Sequence, residues 1–326
     1  MAEKKRARQE DRKVDGASVQ DKGTVHMSFS GKTDEPSPCL ALVPLEGQLV
    51  SADLHVHTTV SDGSEDFEQV LRAARGLGLT HVAFTNHDTL VGIPFAKNLQ
   101  ARFGVTVIGG IEISGWDAQA RRKVHVLGYG FDTEDAPAIR GLCEPLLERR
   151  RANTLWQMEQ LEQHGFALDR RAVAEFARDS TSLYKQHIMA TLTARPYGSD
   201  EYGALYRQLF GQGGICERDI SYVDAREAVW AIKQDGGIAV LAHPGQQDVY
   251  DLVASLVDAG LEGIEKYHPA HSKRDWQRVD ELASTYGLIR TGGSDYHGAY
   301  GTPVRLGQHR MPARPDTPFL SRVASL

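Results

Sequence analysis

Two histidines near position 55 are spaced as metal ligands would be. The run from Asp53 reads Asp-Leu-His-Val-His, and Asp62 follows it in a turn with glycine. Side chains at alternate positions of a strand share one face, so His55 and His57 point the same way if this run is a strand. Two imidazoles on one face at the end of a strand form a natural pair of metal ligands.

Further apolar runs also end in histidine, aspartate or glutamate. A single buried histidine is more often a hydrogen-bonded core residue than a ligand. Chance placement of each residue by itself does not explain why all seven strand ends carry ligand-type residues. In a parallel barrel these ends converge on one mouth, where the active site belongs. The predicted metal ligands are His55, His57, Asp62, His87, Glu112, His125, His243, Asp295 and His297.

The ligand types restrict the metal. Imidazole and carboxylate without thiolate suit Mn, Fe or Zn and disfavour Cu(I) and iron–sulfur clusters. Nine ligands are too many for one ion that keeps an open position. We therefore predict two or three divalent ions that share bridging carboxylates.

Composition excludes several other classes of protein. The 326 residues include 13 histidines but three cysteines, too few for a disulfide framework. Lys+Arg is 37 and Asp+Glu is 43, a net charge of −6 that excludes a basic nucleic-acid coat. No apolar run approaches the roughly 18 residues of a membrane span, and no apolar signal segment follows the charged start. These features predict a cytoplasmic protein without a membrane or stable nucleic-acid partner.

Strands and helices that alternate along the chain must position these residues. Such alternation is typical of βα units with parallel strands, here an α/β barrel or a distorted one. The predicted strands are 49–57, 81–86, 105–113, 123–129, 238–242, 263–267 and 288–292. The predicted helices are 65–77, 94–103, 224–234, 249–259 and 273–286.

A long helical stretch interrupts the barrel pattern. About ninety residues with helical periodicity and no clear strand separate the fourth and fifth strands, which predicts an inserted helical cap. The first residues are polar and aperiodic and read as a flexible extension. The predicted organisation is a flexible extension over 1–46, a barrel over 47–132 and 223–303, a cap over 133–222 and a C-terminal segment over 304–326.

Five motifs together resemble the PHP (polymerase and histidinol phosphatase) superfamily of metal-dependent phosphoesterases. They occur in that family's order over about residues 49–300. The first is Asp-Leu-His-Val-His-Thr-Thr-Val-Ser-Asp-Gly at 53–63, and the second is Thr-Asn-His-Asp-Thr-Leu-Val-Gly at 85–92. The others are Gly-Ile-Glu-Ile at 110–113, Ala-His-Pro-Gly at 242–245 and Gly-Ser-Asp-Tyr-His at 293–297.

The resemblance implies a distorted (β/α)7 barrel of the PHP type with a trinuclear metal centre. One ion would be held by His55, His57, Glu112 and Asp295. A second would be held by Asp62, His87 and His297, and a third by Glu112, His125 and His243, with Glu112 bridging.

The inserted cap resembles that of stand-alone phosphatases related to 3′,5′-nucleotide bisphosphate phosphatase. In that branch, basic cap residues contact the substrate phosphate. Two departures occur: Asn86 stands where the family more often has aspartate, and Lys-Gln-His at 185–187 replaces Arg-Pro-His. The substrate-binding candidates are Arg149, Arg150, Arg151, Lys185 and His187.

The resemblance and the predicted ions together imply hydrolysis of nucleotide phosphomonoesters, such as 3′,5′-bisphosphates, through a metal-bridging hydroxide. Several cations would neutralise phosphate oxygens while an ionised water attacks phosphorus. Asp88, His268 or His271 could protonate the leaving oxygen, and the sequence does not choose among them. The predicted partner is a phosphorylated small molecule or a short oligonucleotide.

Other activities fit parts of the pattern. Relatives in the same branch include 5′→3′ exonucleases on short RNA, and the superfamily includes histidinol-phosphate phosphatases. Amidohydrolases, which act on C–N bonds, also begin with His-x-His on a barrel strand. Glu112, the Asp295/His297 pair and the lack of a strand-end lysine for carboxylation argue against that class. A non-catalytic metal- or RNA-binding module would be expected to lack ligands, whereas every expected position is filled.

Overall fold

The predicted alternation of strands and helices is present in the computed structural model, which describes residues 50–313 and 318–325. The predicted flexible extension, with His26 and Cys39, lies outside the described residues. The strands, β1 to β9 in chain order, are Val50–Val56, His81–Phe84, Thr106–Asp117, Arg122–Tyr129, Val223–Asp224, Ile238–Leu241, Gly263–Tyr267, Ile289–Gly292 and Met311–Ala313.

Helices lie between most of these strands, and local sequence explains where several of them begin. Asp66 and Gln69 form a capping box at the start of the first helix, in which each side chain binds the other residue's backbone N–H. The helices, α1 to α12, are Phe67–Gly76, Ile93–Asn98, Gln100–Phe103, Pro137–Gln163, Arg170–Phe176, Lys185–Leu192, Asp200–Phe210, Ala225–Gln234, Pro244–Gln247, Val253–Asp258, Lys273–Tyr286 and Pro318–Ala324.

Two predicted helices are each split. The segment predicted as one helix over 94–103 is divided into α2 and α3 at Leu99. The segment predicted over 249–259 begins with the 3₁₀ turn Tyr250–Leu252 before α10.

The sheet is not wholly parallel, which corrects the sequence prediction. Its order is β8-β7-β6-β4-β3-β2-β1-β9, and β5 pairs with β3. Strand β4 runs antiparallel to both β3 and β6. The reason is the short connection 118–121, because a parallel crossover needs a dozen or more residues. His125 therefore reaches the site from the middle of β4 and not from its end.

The barrel mouth closes where the chain after β8 meets β1. His57 N–H donates to the Tyr296 carbonyl at 2.9 Å, and Tyr296 N–H donates to the His55 carbonyl at 3.2 Å. A side chain at Gly293 would place its Cβ 2.2 Å from the His55 Cβ, so glycine is required for this approach. The closure brings Asp295 and His297 beside the β1 histidines.

The long insertion is helical in the structure. Residues 133–222 are all described and contain α4 to α7 without a strand. Apolar side chains of these helices form their own buried cluster, which includes Leu161, Ile188 and Leu209. Its status as a separate cap domain stays a prediction. No helix in the described ranges is long and apolar enough to cross a bilayer, and the cytoplasmic location also stays a prediction.

Candidate metal centre and adjoining cavity

The two β1 histidines face two carboxylates inside the barrel mouth. His55 Nε2 lies 3.3 Å from Glu112 Oε2 and 3.4 Å from Asp295 Oδ1. His57 Nε2 lies 3.2 Å and 3.3 Å from the same two oxygens. The four side chains form one compact group whose ligand atoms lie within 4.8 Å of one another.

A second group shares His57 and contains three more side chains. His297 Nε2 is 3.4 Å from Asp62 Oδ1, and His87 Nε2 is 3.9 Å from Asp62 Oδ2. The ring centroids of His57 and His297 are 4.0 Å apart. A Cβ at Gly63 would lie 2.9 Å from the His57 carbonyl, so this tight turn beside Asp62 needs glycine.

Glu112 lies at the centre of the cluster and belongs to a third group. Its Oε1 is 2.8 Å from His125 Nδ1 and 2.9 Å from His243 Nε2. Its Oε2 is 3.2 Å from His87 Nδ1. The structure thus brings together all nine side chains that the sequence predicted as ligands, and their role as ligands remains a proposal.

Backbone strain occurs at the same place. His243 and Asp295 have φ angles of 26° and 48°, in the left-handed region that residues with a side chain rarely adopt. Strain of this kind persists where surrounding structure over-determines it, and it concentrates at functional sites.

Metal ions fit the donor set on structural grounds. Six buried polar atoms of the cluster have no hydrogen-bond partner, a costly arrangement unless something else binds them. Donor atoms about 2.1 Å from a shared ion lie roughly 3.0–3.4 Å apart, which matches the separations of 3.2–3.4 Å in the first group. The six atoms are His55 Nε2, His57 Nδ1 and Nε2, Asp62 Oδ1, His87 Nδ1 and Glu112 Oε2.

The electrostatics of the cluster favour positive charge between its carboxylates. Burial by itself would raise the pKa of Glu112, but neighbouring imidazoles, led by His87, lower it well below its usual value. Burial would lower the pKa of His297, whereas the carboxylates of Asp62 and Asp295 raise it to about 9. Burial lowers the pKa of His87 to about 4, so the ring is neutral and one of its nitrogens has a lone pair available to an ion.

Glu265 on β7 is a site residue that the sequence reasoning missed. It is buried, its Oε1 lies 3.2 Å from His55 Nδ1, and its Oε2 accepts the His243 N–H at 2.8 Å. A carboxylate behind a ligating imidazole fixes the ring's orientation and raises its basicity. The available signal was a glutamate within a predicted barrel strand, 263–267, two residues before its end.

Asp88 does not fit the predicted role of general acid. Its carboxylate accepts hydrogen bonds from Ser114 N–H at 2.7 Å, Ser114 Oγ at 3.0 Å and Arg150 at 2.6 Å. These three contacts engage both carboxylate oxygens as hydrogen-bond acceptors. Asp88 instead holds the Arg150 guanidinium in position.

His271 does not fit that role either, whereas His268 remains a candidate. His271 Nδ1 donates to the Lys266 carbonyl at 2.9 Å and Nε2 accepts the Gly245 N–H at 3.0 Å, so both ring nitrogens are engaged. His268 Nδ1 accepts the Ala270 N–H at 3.1 Å, which puts the proton of the neutral ring on Nε2. That nitrogen lies 3.4 Å from Asp295 Oδ2, beside the metal cluster.

The arginine run separates into three environments. Arg149 Nε donates to the Ser221 carbonyl at 2.9 Å, and Arg151 is exposed. Arg150 alone of the three lines a cavity next to the cluster. The structure therefore favours Arg150 as the arginine that reaches a substrate.

The Lys-Gln-His segment of α6 is also divided. Lys185 and Gln186 line the same cavity as Arg150, and Gln186 Nε2 donates to Asp62 Oδ2 at 3.0 Å. His187 is fully buried, its Nδ1 accepts the Tyr184 N–H at 3.2 Å, and it is not among the lining residues. The predicted contact of His187 with substrate does not fit this position, whereas Gln186 faces the cavity.

Two cavities adjoin at the barrel mouth. The metal cavity, about 160 Å³, is lined by all predicted ligands except His55 and His57, which lie beneath them. The basic cavity, about 300 Å³, contains the side chains of Lys123, Arg150 and Lys185. The two share the lining residues Asp62, His87, His125, Gln186 and Gln246.

Comparisons with known proteins agree with this geometry. A family model described as the PHP domain matches residues 53–214. The phosphoribosyl 1,2-cyclic phosphate 1,2-diphosphodiesterase of Eggerthella lenta is 55% identical over 80% of this chain and 99% of its own length. The chain belongs to the PHP family. The resemblance predicted from the five motifs is confirmed, and so is the barrel-type α/β fold.

More distant PHP relatives support the same class of activity. The 3′,5′-nucleoside bisphosphate phosphatase of Chromobacterium violaceum is 28% identical over 76% of this chain and 88% of its own. A crystal structure of a Bifidobacterium adolescentis protein, described as a metal-dependent phosphoesterase, has a TM-score of 0.74 at 27% identity and covers 83% of this chain and 96% of its own. This PHP protein is a metal-dependent hydrolase of phosphoric esters, as the sequence predicted.

Proposed function

We propose that this PHP enzyme hydrolyses a 1,2-cyclic phosphate of ribose that carries a second phosphate. The Eggerthella lenta relative, whose name states such a substrate, is 55% identical, against 28% for the nucleoside bisphosphate phosphatase. The preferred substrate is therefore a phosphorylated sugar and not a nucleotide bisphosphate.

The structural observation that supports this substrate is the pair of adjoining cavities. One contains the imidazoles and carboxylates suited to metal ions, and the other contains three cationic side chains. A molecule with two phosphates separated by a sugar ring has one reacting group for the metal cavity and one anion for the basic cavity.

A cyclic phosphate has two ester bonds to one phosphorus. Addition of water to the first bond opens the ring and leaves a phosphomonoester, the substrate class that the sequence predicted. Addition of water to the second bond releases inorganic phosphate and a ribose that keeps its other phosphate. We propose that both steps occur in the metal cavity.

The three ligand groups would hold up to three divalent ions, of which Mn, Fe and Zn all suit the donors. Bound ions would supply a water that ionises near neutral pH and positive charge on the phosphate oxygens. In this proposal His268 donates a proton to the leaving oxygen through Nε2. Glu265 keeps His55 oriented, and Asp88 keeps the Arg150 guanidinium aimed at the cavity.

A substrate panel tests the proposal. The Mn²⁺-loaded protein is assayed for release of inorganic phosphate from phosphoribosyl 1,2-cyclic phosphate, adenosine 3′,5′-bisphosphate and histidinol phosphate, and for release of mononucleotides from 5′-phosphorylated RNA. We expect the highest kcat/KM on the cyclic phosphate, with a phosphomonoester as a transient product. Turnover of the bisphosphate or the RNA without turnover of the cyclic phosphate would overturn it and favour the alternatives predicted from sequence.

A further inference from the structure

The far wall of the basic cavity contains a lysine from the barrel itself. Lys123 and His125 are two residues apart on β4, opposite Trp116 and Ser114 of β3. Alternate residues of a strand share a face and are about 7 Å apart along it. Lys123 therefore lies on the same face of β4 as His125, and both side chains line the basic cavity.

Lys123 is held in place but not saturated. Its Nζ lies 2.6 Å from Asp219 Oδ2 and 4.9 Å from the ring centroid of Tyr222. The Tyr222 hydroxyl donates to Asp219 Oδ1 at 2.7 Å, so one carboxylate fixes both residues. An ammonium has three N–H donors, and the Lys123 side chain is 40% exposed, which leaves donors for a ligand.

Lys185 supplies a second cation from the cap side of the cavity. Its Nζ is 5.6 Å from the ring centroid of Phe210, and among the described residues the structure gives it no hydrogen-bond acceptor. Burial lowers the pKa of Lys185, because an ammonium removed from water without a close counter-ion is destabilised. An anion bound in the cavity would relieve that cost.

We infer that Lys123 and Lys185 form a binding site for the phosphate that is not hydrolysed, a phosphomonoester dianion at the far end of the substrate. This inference rests on the proposed function, because it places the reacting phosphate in the metal cavity. Asp219 orients Lys123 within the site. Lys123 comes from the barrel strand β4 and Lys185 from the helix α6 of the insertion. The pair therefore selects substrates by the separation between the reacting phosphate and the second phosphate.

The test compares two substrates in two variants. Lys123→Met and the control Lys233→Met are assayed on phosphoribosyl 1,2-cyclic phosphate and on ribose 1,2-cyclic phosphate, which lacks the second phosphate. Lys233 also pairs with a carboxylate, Glu262, but lies outside both cavities. The quantity compared is kcat/KM on phosphoribosyl 1,2-cyclic phosphate divided by kcat/KM on ribose 1,2-cyclic phosphate. For Lys123→Met we expect this ratio to fall about tenfold to a hundredfold, mainly because KM for the phosphoribosyl substrate rises. Lys233→Met should leave the ratio unchanged.

An equal loss on both substrates, or no loss on either, overturns the inference. A separate calorimetric titration with ribose 5-phosphate tests the Lys123–Lys185 site independently of the proposed activity. If the wild-type protein does not hydrolyse the cyclic phosphate, weaker ribose 5-phosphate binding by Lys123→Met still supports the site. Unchanged binding of ribose 5-phosphate by that variant contradicts it.

Discussion

The metal cluster and the basic cavity differ in how far their charged side chains are buried and in how many partners compensate each charge. In the cluster, Glu112 is 1% exposed and contacts imidazoles from several strands, so each charge is compensated on many sides. In the basic cavity, Lys123 and Asp219 are each 40% exposed and pair mainly with each other. Electrostatic interactions are stronger and less screened in the buried cluster than in the half-exposed cavity.

This difference indicates a division of labour. The barrel backbone determines the positions of the cluster groups, which suits chemistry shared by a whole family. The cations of the basic cavity come from β4, α4 and α6, elements that belong partly to the long insertion. Changes in the insertion can therefore alter which substrate binds without disturbing the metal ligands.

The largest expected effect comes from the cluster. His57 belongs to two of the ligand groups, so His57→Ala should abolish phosphate release and lower the metal content while circular dichroism shows the fold largely intact. The control is His164→Ala, because His164 caps the C-terminal end of α4, where its Nδ1 donates to the Gln160 carbonyl at 2.8 Å. Full activity with full metal content in His57→Ala would contradict the assignment.

The sequence predicted the cluster well because its residues have fixed offsets from strands. His55 and His57 share a strand face by the period of two, and further ligands follow the ends of β2, β6 and β8, namely His87, His243 and the Asp295/His297 pair. His125 was predicted correctly as a site residue, but the premise that its strand is parallel was wrong. It reaches the site from the middle of β4, which runs antiparallel to β3 and β6.

The substrate side could not be predicted in the same way. Arg149, Arg150 and Arg151 are consecutive on a helix, and only the packing of α4 against the barrel decides which of them lines the cavity. The contacts of Asp88 were not visible in the sequence either, because its three hydrogen-bond donors belong to Ser114 on β3 and Arg150 on α4. Long-range contacts of this kind have no local signature.

Glu265 tests whether the cluster depends on residues behind the ligands. In Glu265→Gln the amide can still hydrogen-bond to His55 Nδ1 but no longer raises the basicity of the ring, so metal affinity should fall about tenfold to a hundredfold. A competition assay with a chelator measures the change. Glu262→Gln is the matched control, since Glu262 pairs with Lys233 at the surface. Equal metal affinity in the two variants would exclude the orienting role.

Asp88 tests the basic cavity through its arginine. Asp88→Asn removes the charge that holds Arg150, so KM for the phosphorylated substrate should rise about tenfold with a smaller change in kcat. A general acid would behave differently, because its loss lowers kcat and removes a limb of the pH profile. Asp251→Asn, which weakens the exposed Arg122 pair, is the control and should change neither constant.

The smallest expected effect is a pH dependence confined to the basic cavity. Burial lowers the pKa of Lys185, so this side chain loses its charge at a lower pH than an ordinary lysine, and wild-type KM should rise toward alkaline pH. In Lys185→Arg the guanidinium stays charged over that range, so the rise in KM should be smaller. Lys266→Arg, at an ion pair with Asp280 outside both cavities, should keep the wild-type profile. If KM in Lys185→Arg rises as steeply as in the wild type, the alkaline loss of binding belongs to the metal cluster and not to the lysine.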